Sequence, residues 1–237
     1  MNPMDSWRHA AAALVADLRR VFAGRLRSLV AYGPRVEGEG DTPVTCLAVV
    51  DSLGISDLDA CARLATQWVR HGVAIPLIVP EQEFRRSLDA FPLEYAEILR
   101  AHERVFGTDP FEGMTISRED LRRACETQVK SHLLYLREGF IETGGRPQAI
   151  ADLVCASAPG FAALLRNVAR LNGGASPARA DATREGARSA GLADSIVADV
   201  LALDRPSTIP TTDAARLFPQ YLAAVEQLAR AVDRWRA

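Results

Sequence analysis

Residues 28–51 read SLVAYGPRVEGEGDTPVTCLAVVD, and this stretch decides how we expect the first half of the chain to fold. It contains two apolar runs, residues 29–32 and residues 44–50, which predict a first strand near residues 26–32 and a second strand over residues 44–50. The loop between the two runs contains Gly33, Gly38 and Gly40. A strand, a glycine-rich loop and a second strand form an arrangement in which backbone amides can approach a phosphate group.

The flanking sequence predicts helices and further strands around this stretch. Apolar residues at three- and four-residue spacing predict a helix over residues 6–24, and a capping pattern at Ser56 predicts the start of another. Branched residues predict a strand over residues 73–79. Residues 93–106 are compatible with a helix or an edge strand, and we expect a strand because Pro92 precedes them and a Gly-Thr-Asp-Pro turn ends them.

The second half of the chain has the character of a helical domain. Ser117 followed by Asp120 is typical of a helix start, and long apolar stripes follow. Such faces need partner helices to cover them. We therefore predict an α+β protein, with a small mixed-sheet domain over residues 1–114 and an all-α helical bundle over residues 115–237.

Composition excludes several function classes. The formal net charge is −2, which gives no support to nucleic-acid binding. The four cysteines form no metal-binding pattern, so we expect buried free thiols in a reducing compartment. The apolar run at residues 10–16 ends at Asp17, and the one at residues 153–165 contains Pro159 and Gly160, which we expect to break it. We therefore predict no membrane span and a cytoplasmic location.

Two segments carry a resemblance to a known family. Residues 31–35, Ala-Tyr-Gly-Pro-Arg, resemble the nucleotidyltransferase superfamily, which shares the DNA polymerase beta-type catalytic fold. FPLEYAEILRAHERVFGTDPFEG and LRRACETQVKSHLLYLREGFIE, residues 91–113 and 121–142, resemble bacterial members that carry a helical C-terminal domain. Together the resemblances cover residues 26–142 and predict a nucleotidyltransferase-like first domain.

The resemblance implies a specific chemistry. In that family a Gly-Ser turn after the first strand holds a nucleoside triphosphate, an Asp-x-Asp pair on the second strand binds magnesium, and a carboxylate on a later strand often completes the site. Magnesium prefers oxygen ligands, and side chains two apart on a strand point the same way. Carried over to this chain, nucleotide binding falls on Gly33 and Arg35, with magnesium and a nucleoside triphosphate as cofactors if the protein is active.

The chain departs from the family pattern at the reactive positions. Aligned backwards from Asp51, the two carboxylate positions fall on Pro43 and Thr45, and the serine position falls on Pro34. None of these residues supplies a carboxylate, and proline lacks a backbone N–H. The sequence therefore predicts a degenerate site with no metal and no assigned catalytic residue. The predicted function is a nucleotide-sensing or protein-interaction module.

An active enzyme is the alternative interpretation. It would move a nucleoside monophosphate from a triphosphate to a small molecule or a protein hydroxyl, with Asp41 as the substitute carboxylate. Glu37 and Glu39 lie in the same loop, where solvated charges are the commoner case. For the later-strand carboxylate the sequence offers Glu94, which could equally be a strand-end polar residue or the partner of an arginine.

Two further questions stay open from the sequence. Arg35 could contact a phosphate or form a surface ion pair with a neighbouring glutamate. Lys130 and His132 lie on the long helix, where surface or inter-domain packing is the default. The partner is left open between a nucleotide, another protein and a second copy of the chain docked through the helical half.

Overall fold

The computed structural model describes residues 3–38, 41–174, 179–202 and 211–235. The chain divides into two compact units, Met1–Ile116 and Ser117–Ala237. The first contains a mixed sheet and the second is helical, so the predicted α+β class is confirmed. The division into two independent domains stays a prediction.

The sheet of the first unit has four strands in the order β3-β2-β1-β4. Their bounds are Leu26–Tyr32 for β1, Thr45–Val50 for β2, Leu77–Pro80 for β3 and His102–Gly107 for β4. Strand β1 is antiparallel to both of its neighbours, and β3 is parallel to β2. The two apolar runs around the glycine loop therefore form the centre of the sheet.

Helices cover both faces of this sheet. Their bounds are Pro3–Phe22 for α1, Ile55–Arg70 for α2, Glu81–Arg86 for α3 and Pro92–Arg100 for α4, and a 3-10 turn, Ala23–Arg25, leads from α1 into β1. Leu29 packs with α1 and α2 in one core cluster, whereas Val30 packs with α3 and α4 in another. Successive side chains point to opposite faces of a strand, so one strand supplies both cores.

The strand predicted over residues 93–106 is wrong in its first half. Residues Pro92–Arg100 form α4, and only His102–Gly107 is a strand. Pro92 occupies the first helical turn, where its missing N–H lacks an intrahelical partner in any case. Tyr95 and Ile98 are buried three residues apart, which is helical spacing. The strand predicted over residues 73–79 is shorter too, since β3 begins at Leu77.

Five helices make up the described part of the second unit. Their bounds are Arg118–Glu142 for α5, Pro147–Leu171 for α6, Arg179–Ser189 for α7, Asp194–Ala202 for α8 and Thr211–Arg234 for α9. The predicted start of α5 is confirmed, because Ser117 Oγ accepts a hydrogen bond of 3.0 Å from the Asp120 amide. Phe161, Leu165, Tyr221 and Leu228 are fully buried where α5, α6 and α9 pack together.

Helix α6 runs through Pro159 and Gly160, so the break predicted there is wrong. Pro159 lies on the exposed side of the helix, while Ala158 and Phe161 on either side of it are buried and hold both halves in place. Among the described residues α6 is the one helix long and apolar enough to span a membrane, and 56% of its most apolar window is buried in the protein. A core helix has the same properties.

Candidate functional site

The loop after β1 begins with a tight turn at Gly33. Its φ of +86° lies in the left-handed region, which favours glycine. The Gly33 carbonyl accepts hydrogen bonds from the amides of Val36 at 3.0 Å and Glu37 at 3.2 Å. Pro34 lies inside this turn and contributes no amide donor. The turn therefore closes on the Gly33 carbonyl, and Pro34 within it offers no amide to a ligand.

Thr45 lies beside this turn at the start of β2. It pairs with Tyr32 across the sheet, and its Oγ1 is 3.8 Å from the position that a Cβ on Gly33 would occupy. Thr45 shares its side of β2 with Leu47 and Val49, which pack with α3 and α4. Pro43 is exposed just before the strand. Of the two positions that the resemblance assigns to metal-binding aspartates, Thr45 thus lies next to the glycine turn, and Pro43 lies two residues before Thr45.

Arg35 connects the first part of the loop to Asp41 near its end and to helix α1. Its guanidinium forms an ion pair with Asp41 and donates a hydrogen bond of 2.8 Å to Ser6 Oγ on α1. The Arg35 side chain is 16% exposed and that of Asp41 is 93% exposed. The structure therefore contains an ion pair at Arg35, but its partner is an aspartate and not the glutamate that the sequence suggested. Glu39 lies outside the described residues.

Glu37 is not a solvated loop charge, and the sequence interpretation is wrong there. Its side chain is 9% exposed and forms an ion pair with Arg100 of α4. Its second carboxylate oxygen, Oε2, is buried without a hydrogen-bond partner among the described residues. Arg100 follows the loop by 63 residues. No local pattern could have revealed this contact, because it depends on how α4 packs beside the loop.

The later-strand carboxylate is absent from the predicted position. Residues 93–100 are helical, so Glu94 lies on α4 and not on a strand, and its side chain is exposed. Strand β4 carries Glu103, which forms a bidentate ion pair with Arg8 of α1, at 2.8 Å between Nη2 and Oε1. The acidic side chain of β4 therefore binds to α1.

A second polar pair is formed by His102 and Asp109. His102 pairs with Tyr32 at the end of the sheet that carries the glycine turn. His102 Nε2 lies 3.1 Å from both Asp109 oxygens, and the Phe111 amide donates to Oδ1 at 2.9 Å. Burial opposes ionisation of Asp109, but the hydrogen bonds from Phe111 and His102 outweigh it and lower the pKa of its carboxyl group. Asp109 is thus held as an anion by groups of the protein.

Tyr32 and Cys46, which lie near the turn, do not titrate near neutral pH. Burial raises the pKa of the Tyr32 hydroxyl to about 12 and that of the Cys46 thiol to about 12. A thiol of this kind is protonated and unreactive. Neither side chain is suited to act as a nucleophile or a base.

Acidic side chains do not converge beside Gly33 in the described part of the chain. Among the described residues no group of three His, Cys, Asp or Glu side chains is placed to hold a metal ion. Asp41, Glu37 and Glu103 are each bound by an arginine, and Asp51 pairs with Arg27 at the far end of β2. This donor set does not fit a pair of magnesium ions, which needs oxygen ligands that meet at one point.

Lys130 and His132 are engaged within the helical unit. Lys130 forms ion pairs with Glu126 and with Asp233, the latter at 3.0 Å. His132 Nε2 lies 2.8 Å from the hydroxyl of Tyr221, and burial lowers the pKa of the imidazole to about 4. Both residues therefore have structural partners on neighbouring turns and helices.

Comparison with known proteins establishes the fold. No protein-family model matches the chain, and no curated protein matches it. Among solved structures, the crystal structure of spectinomycin adenyltransferase AAD(9) from Enterococcus faecialis, with ATP and spectinomycin, superposes with a TM-score of 0.61. The superposition covers 95% of this chain and 99% of that chain at 13% identity. The fold is nucleotidyltransferase-like.

At this identity the similarity shows the fold alone. The predicted nucleotidyltransferase-like architecture is confirmed. The bacterial origin and cytoplasmic location stay predictions. So do the roles given to individual positions, namely Gly33, Pro34, Arg35, Asp41, Pro43 and Thr45.

Proposed function

We propose that this chain is a nucleotidyltransferase-like protein that has lost metal-dependent catalysis and serves as a nucleotide-sensing or protein-interaction module. One observation carries the proposal. The carboxylates of Glu37 and Asp41 beside the glycine turn are each bound by an arginine, and the neighbouring strand positions are Pro43 and Thr45.

Phosphoryl transfer in this fold needs carboxylates that hold metal ions against the triphosphate. Thr45 offers a neutral hydroxyl, which is a weak ligand for magnesium compared with a carboxylate. Glu37 is held by Arg100 through Oε1, and its second oxygen, Oε2, is buried, so a metal ion could reach this carboxylate only if the surrounding loop or α4 moved and weakened the ion pair. Loss of the metal site is therefore the simplest consequence of this arrangement.

Retained nucleotide binding is supported by the turn itself and by Arg35. A triphosphate can compete with Asp41 for the Arg35 guanidinium, because the Asp41 side chain is almost fully exposed and exposed ion pairs are weak. Arg35 presents several N–H groups in a plane, which matches the geometry of phosphate oxygens. The adenyltransferase of similar fold was solved with ATP. We accordingly propose ATP as the first nucleotide to test.

The active alternative depends on Asp41. Its exposure allows it to move, so an enzyme that uses Asp41 as a substitute carboxylate requires only that the ion pair with Arg35 opens on substrate binding. This alternative predicts transfer of the nucleotide and a dependence on magnesium. The proposed function predicts neither.

Calorimetry with ATP, in the presence and absence of magnesium, separates the two. We expect ATP to bind without a need for magnesium, Arg35→Ala to weaken binding by at least about tenfold, and Arg86→Ala on α3 to leave it unchanged. We expect no transfer of labelled AMP to small molecules or to the protein. Transfer that Asp41→Ala abolishes would establish the active alternative, and a wild-type protein that does not bind ATP would overturn the nucleotide-sensing function.

The helical unit supports the protein-interaction part of the proposal. Helix α5 exposes Leu134 and Ile141, at 56% and 78%, and these residues lie two turns apart on one side. Large exposed apolar side chains on one face are typical of contact surfaces. Light scattering after size exclusion measures whether a second copy of the chain covers them, and a strict monomer would exclude the homodimer.

A further inference from the structure

Helix α2 carries an apolar stripe on a different side from its buried core residues. Cys61 and Trp68 of this helix are buried in the core of the first unit. The outer stripe consists of Ile55, Leu58, Ala62, Ala65 and Val69. Its three large side chains, Ile55, Leu58 and Val69, are 75%, 45% and 53% exposed. Large apolar side chains that are exposed together on one face are typical of a contact surface.

The spacing of the outer stripe is that of a helix which packs lengthwise against another helix. Its residues follow one another at intervals of three, four, three and four positions, as the core positions of paired helices do. The stripe runs from Ile55 to Val69, which is about 21 Å of helix. Ala62 at its centre has a small side chain and allows a second helix to approach closely. The outer stripe therefore fits another helix of similar length.

Charged side chains along one edge of the outer stripe have no partner in the described part of the chain. Asp59 and Arg63 lie one turn apart on this edge, and both are exposed. Neither forms an ion pair or a hydrogen bond with another described residue. Near the core, by contrast, Asp57 of the same helix is bound by Arg25 at 2.7 Å. The outer edge of α2 thus has one unpaired charge of each sign.

We propose that the outer stripe of α2 binds the outer stripe of a second copy of this chain, with the two helices antiparallel about a twofold axis near Ala62. In this arrangement Ile55 of each copy lies beside Val69 of the other, and Leu58 lies beside Ala65. The large side chains of one copy then cover the small central ones of the other, which is the complementarity that a helix pair needs.

The charges favour the antiparallel arrangement. A twofold axis perpendicular to the helices brings the charged edges of the two copies together, so Asp59 of each copy lies across from Arg63 of the other. One symmetric contact therefore pairs all four charges. In a parallel pair the charged edge of each copy would instead face the edge of the other that carries the buried residues Cys61 and Trp68, where it would find no opposite charge.

The size of the outer stripe sets the strength of the dimer. A stable interface of standard size buries about 800 Å² on each partner. A single pair of helices in contact over about 21 Å offers less than this area. We therefore expect a reversible dimer with a dissociation constant of about 10–100 μM.

Sedimentation of the full chain at about 1–500 μM tests the proposal. We expect the wild type to pass from monomer to dimer over this range. Val69→Asp should weaken association at least about tenfold, because it buries a charge in the interface. Gln67→Asp is the matched control and should leave association unchanged, because Gln67 is exposed on α2 outside the stripe.

Two outcomes of this experiment would overturn the proposal. One is a wild type that stays monomeric at the highest concentration. The other is a dimer that Leu134→Asp on α5 disrupts and Val69→Asp does not, which would assign self-association to the helical unit. Neither outcome bears on nucleotide sensing, which is tested by the binding of ATP.

Charge reversal tests the antiparallel arrangement. Asp59→Arg and Arg63→Asp should each weaken self-association at least about threefold, because each places like charges across the interface twice. An equimolar mixture of the two variants should associate as a heterodimer, and the double variant should associate as the wild type does, since every facing pair again has opposite signs. Failure of either to recover would overturn the antiparallel arrangement. The substituted side chains are exposed, so we expect unchanged circular dichroism spectra.

Discussion

Glu37 in the loop after β1 is bound to Arg100 at the end of α4, and only one of its two carboxylate oxygens has a hydrogen-bond partner in the described part of the chain. The Glu37 side chain is 9% exposed and that of Arg100 is 23% exposed. A carboxylate and a guanidinium that are both withdrawn from water stabilise each other only as a pair. This contact therefore anchors the glycine loop to the helix beside it.

Removing Glu37 should destabilise the first unit far more than removing the other loop acid. We expect Glu37→Ala to lower the free energy of unfolding by about 2–3 kcal/mol, because Arg100 would be left without its main anion. Asp41→Ala should change it by about 0–1 kcal/mol, since the Asp41 side chain is exposed. Urea unfolding followed by fluorescence measures both. Equal effects of the two substitutions would show that burial of Glu37 does not strengthen its ion pair.

The two buried tryptophans of the first unit should respond differently to the same substitution. Trp68 Nε1 donates a hydrogen bond of 2.9 Å to Asp17, whereas Trp7 Nε1 is buried without a partner in the described residues. Both side chains are 3% exposed. We expect Trp68→Phe to destabilise the protein by about 1–3 kcal/mol more than Trp7→Phe, because only the former leaves a buried oxygen, Oδ2 of Asp17, without its donor, while Oδ1 keeps its ion pair with Arg20. Chemical denaturation of both variants tests this, and a difference near zero would contradict it.

The helical unit should lose stability in mild acid through His132. Burial lowers the pKa of its imidazole from 6.5 to about 4. Between those values the unfolded chain binds a proton that the folded chain does not, so this contribution is full above pH 6.5 and is lost as the pH falls towards 4. At about 1.4 kcal/mol per pKa unit, the contribution amounts to at most about 3–4 kcal/mol.

Hydrogen exchange of the helical unit as a function of pH measures this effect. We expect His132→Gln to remove most of the loss in protection between pH 6.5 and 4, because glutamine does not titrate and can still bond to Tyr221. His71→Gln, at the exposed end of α2, is the control and should leave the loss unchanged. If protection in the His132→Gln variant fell with pH as steeply as in the wild type, the acid sensitivity would arise from other groups.

Substituting two glycines of the first unit distinguishes the energetic cost of backbone strain from the cost of a steric clash. Gly107 and Gly113 have φ values of +74° and +72°. A Cβ on Gly107 would lie 1.9 Å from the carbonyl oxygen of Arg27, whereas a Cβ on Gly113 would meet nothing within 4 Å.

Alanine at Gly113 should therefore show the conformational cost alone, about 1–2 kcal/mol. Alanine at Gly107 should cost at least about 3 kcal/mol, because β4 would have to move away from β1. Thermal and chemical unfolding of the two variants provide the comparison. Similar costs at both positions would show that the strands separate easily at this point.

Much of the fold followed from short-range sequence patterns. Strand β1 was predicted with the bounds that the structure shows, and β2 to within one residue, because apolar runs of that length between turn residues have few other solutions. The capping serine at Ser117 was predicted for the same reason, since the cap bonds to an amide three residues away.

The errors came from places where local signals conflict. Local sequence predicts that both Pro92 and Pro159 interrupt a helix, but the first starts α4 and the second lies on the exposed side of α6. At Pro92 the proline is compatible with the first helical turn, and at Pro159 the buried residues of the helix outweigh the preference of a single proline. Packing of this kind involves neighbours that the local sequence does not contain.

At the candidate site, the residue types around Gly33 could be read directly, and they predict a pocket without a carboxylate pair at Pro43 and Thr45. The residue types alone could not show which acidic side chains remain available to bind a ligand. Glu37 is bound by an arginine 63 residues away, and Glu103 by one 95 residues away in the opposite direction. Short-range periodicity determines strands, turns and helix faces because those depend on adjacent residues. Ion pairing and burial depend on distant segments that meet only when the chain is folded, and they decide which acids can bind a ligand.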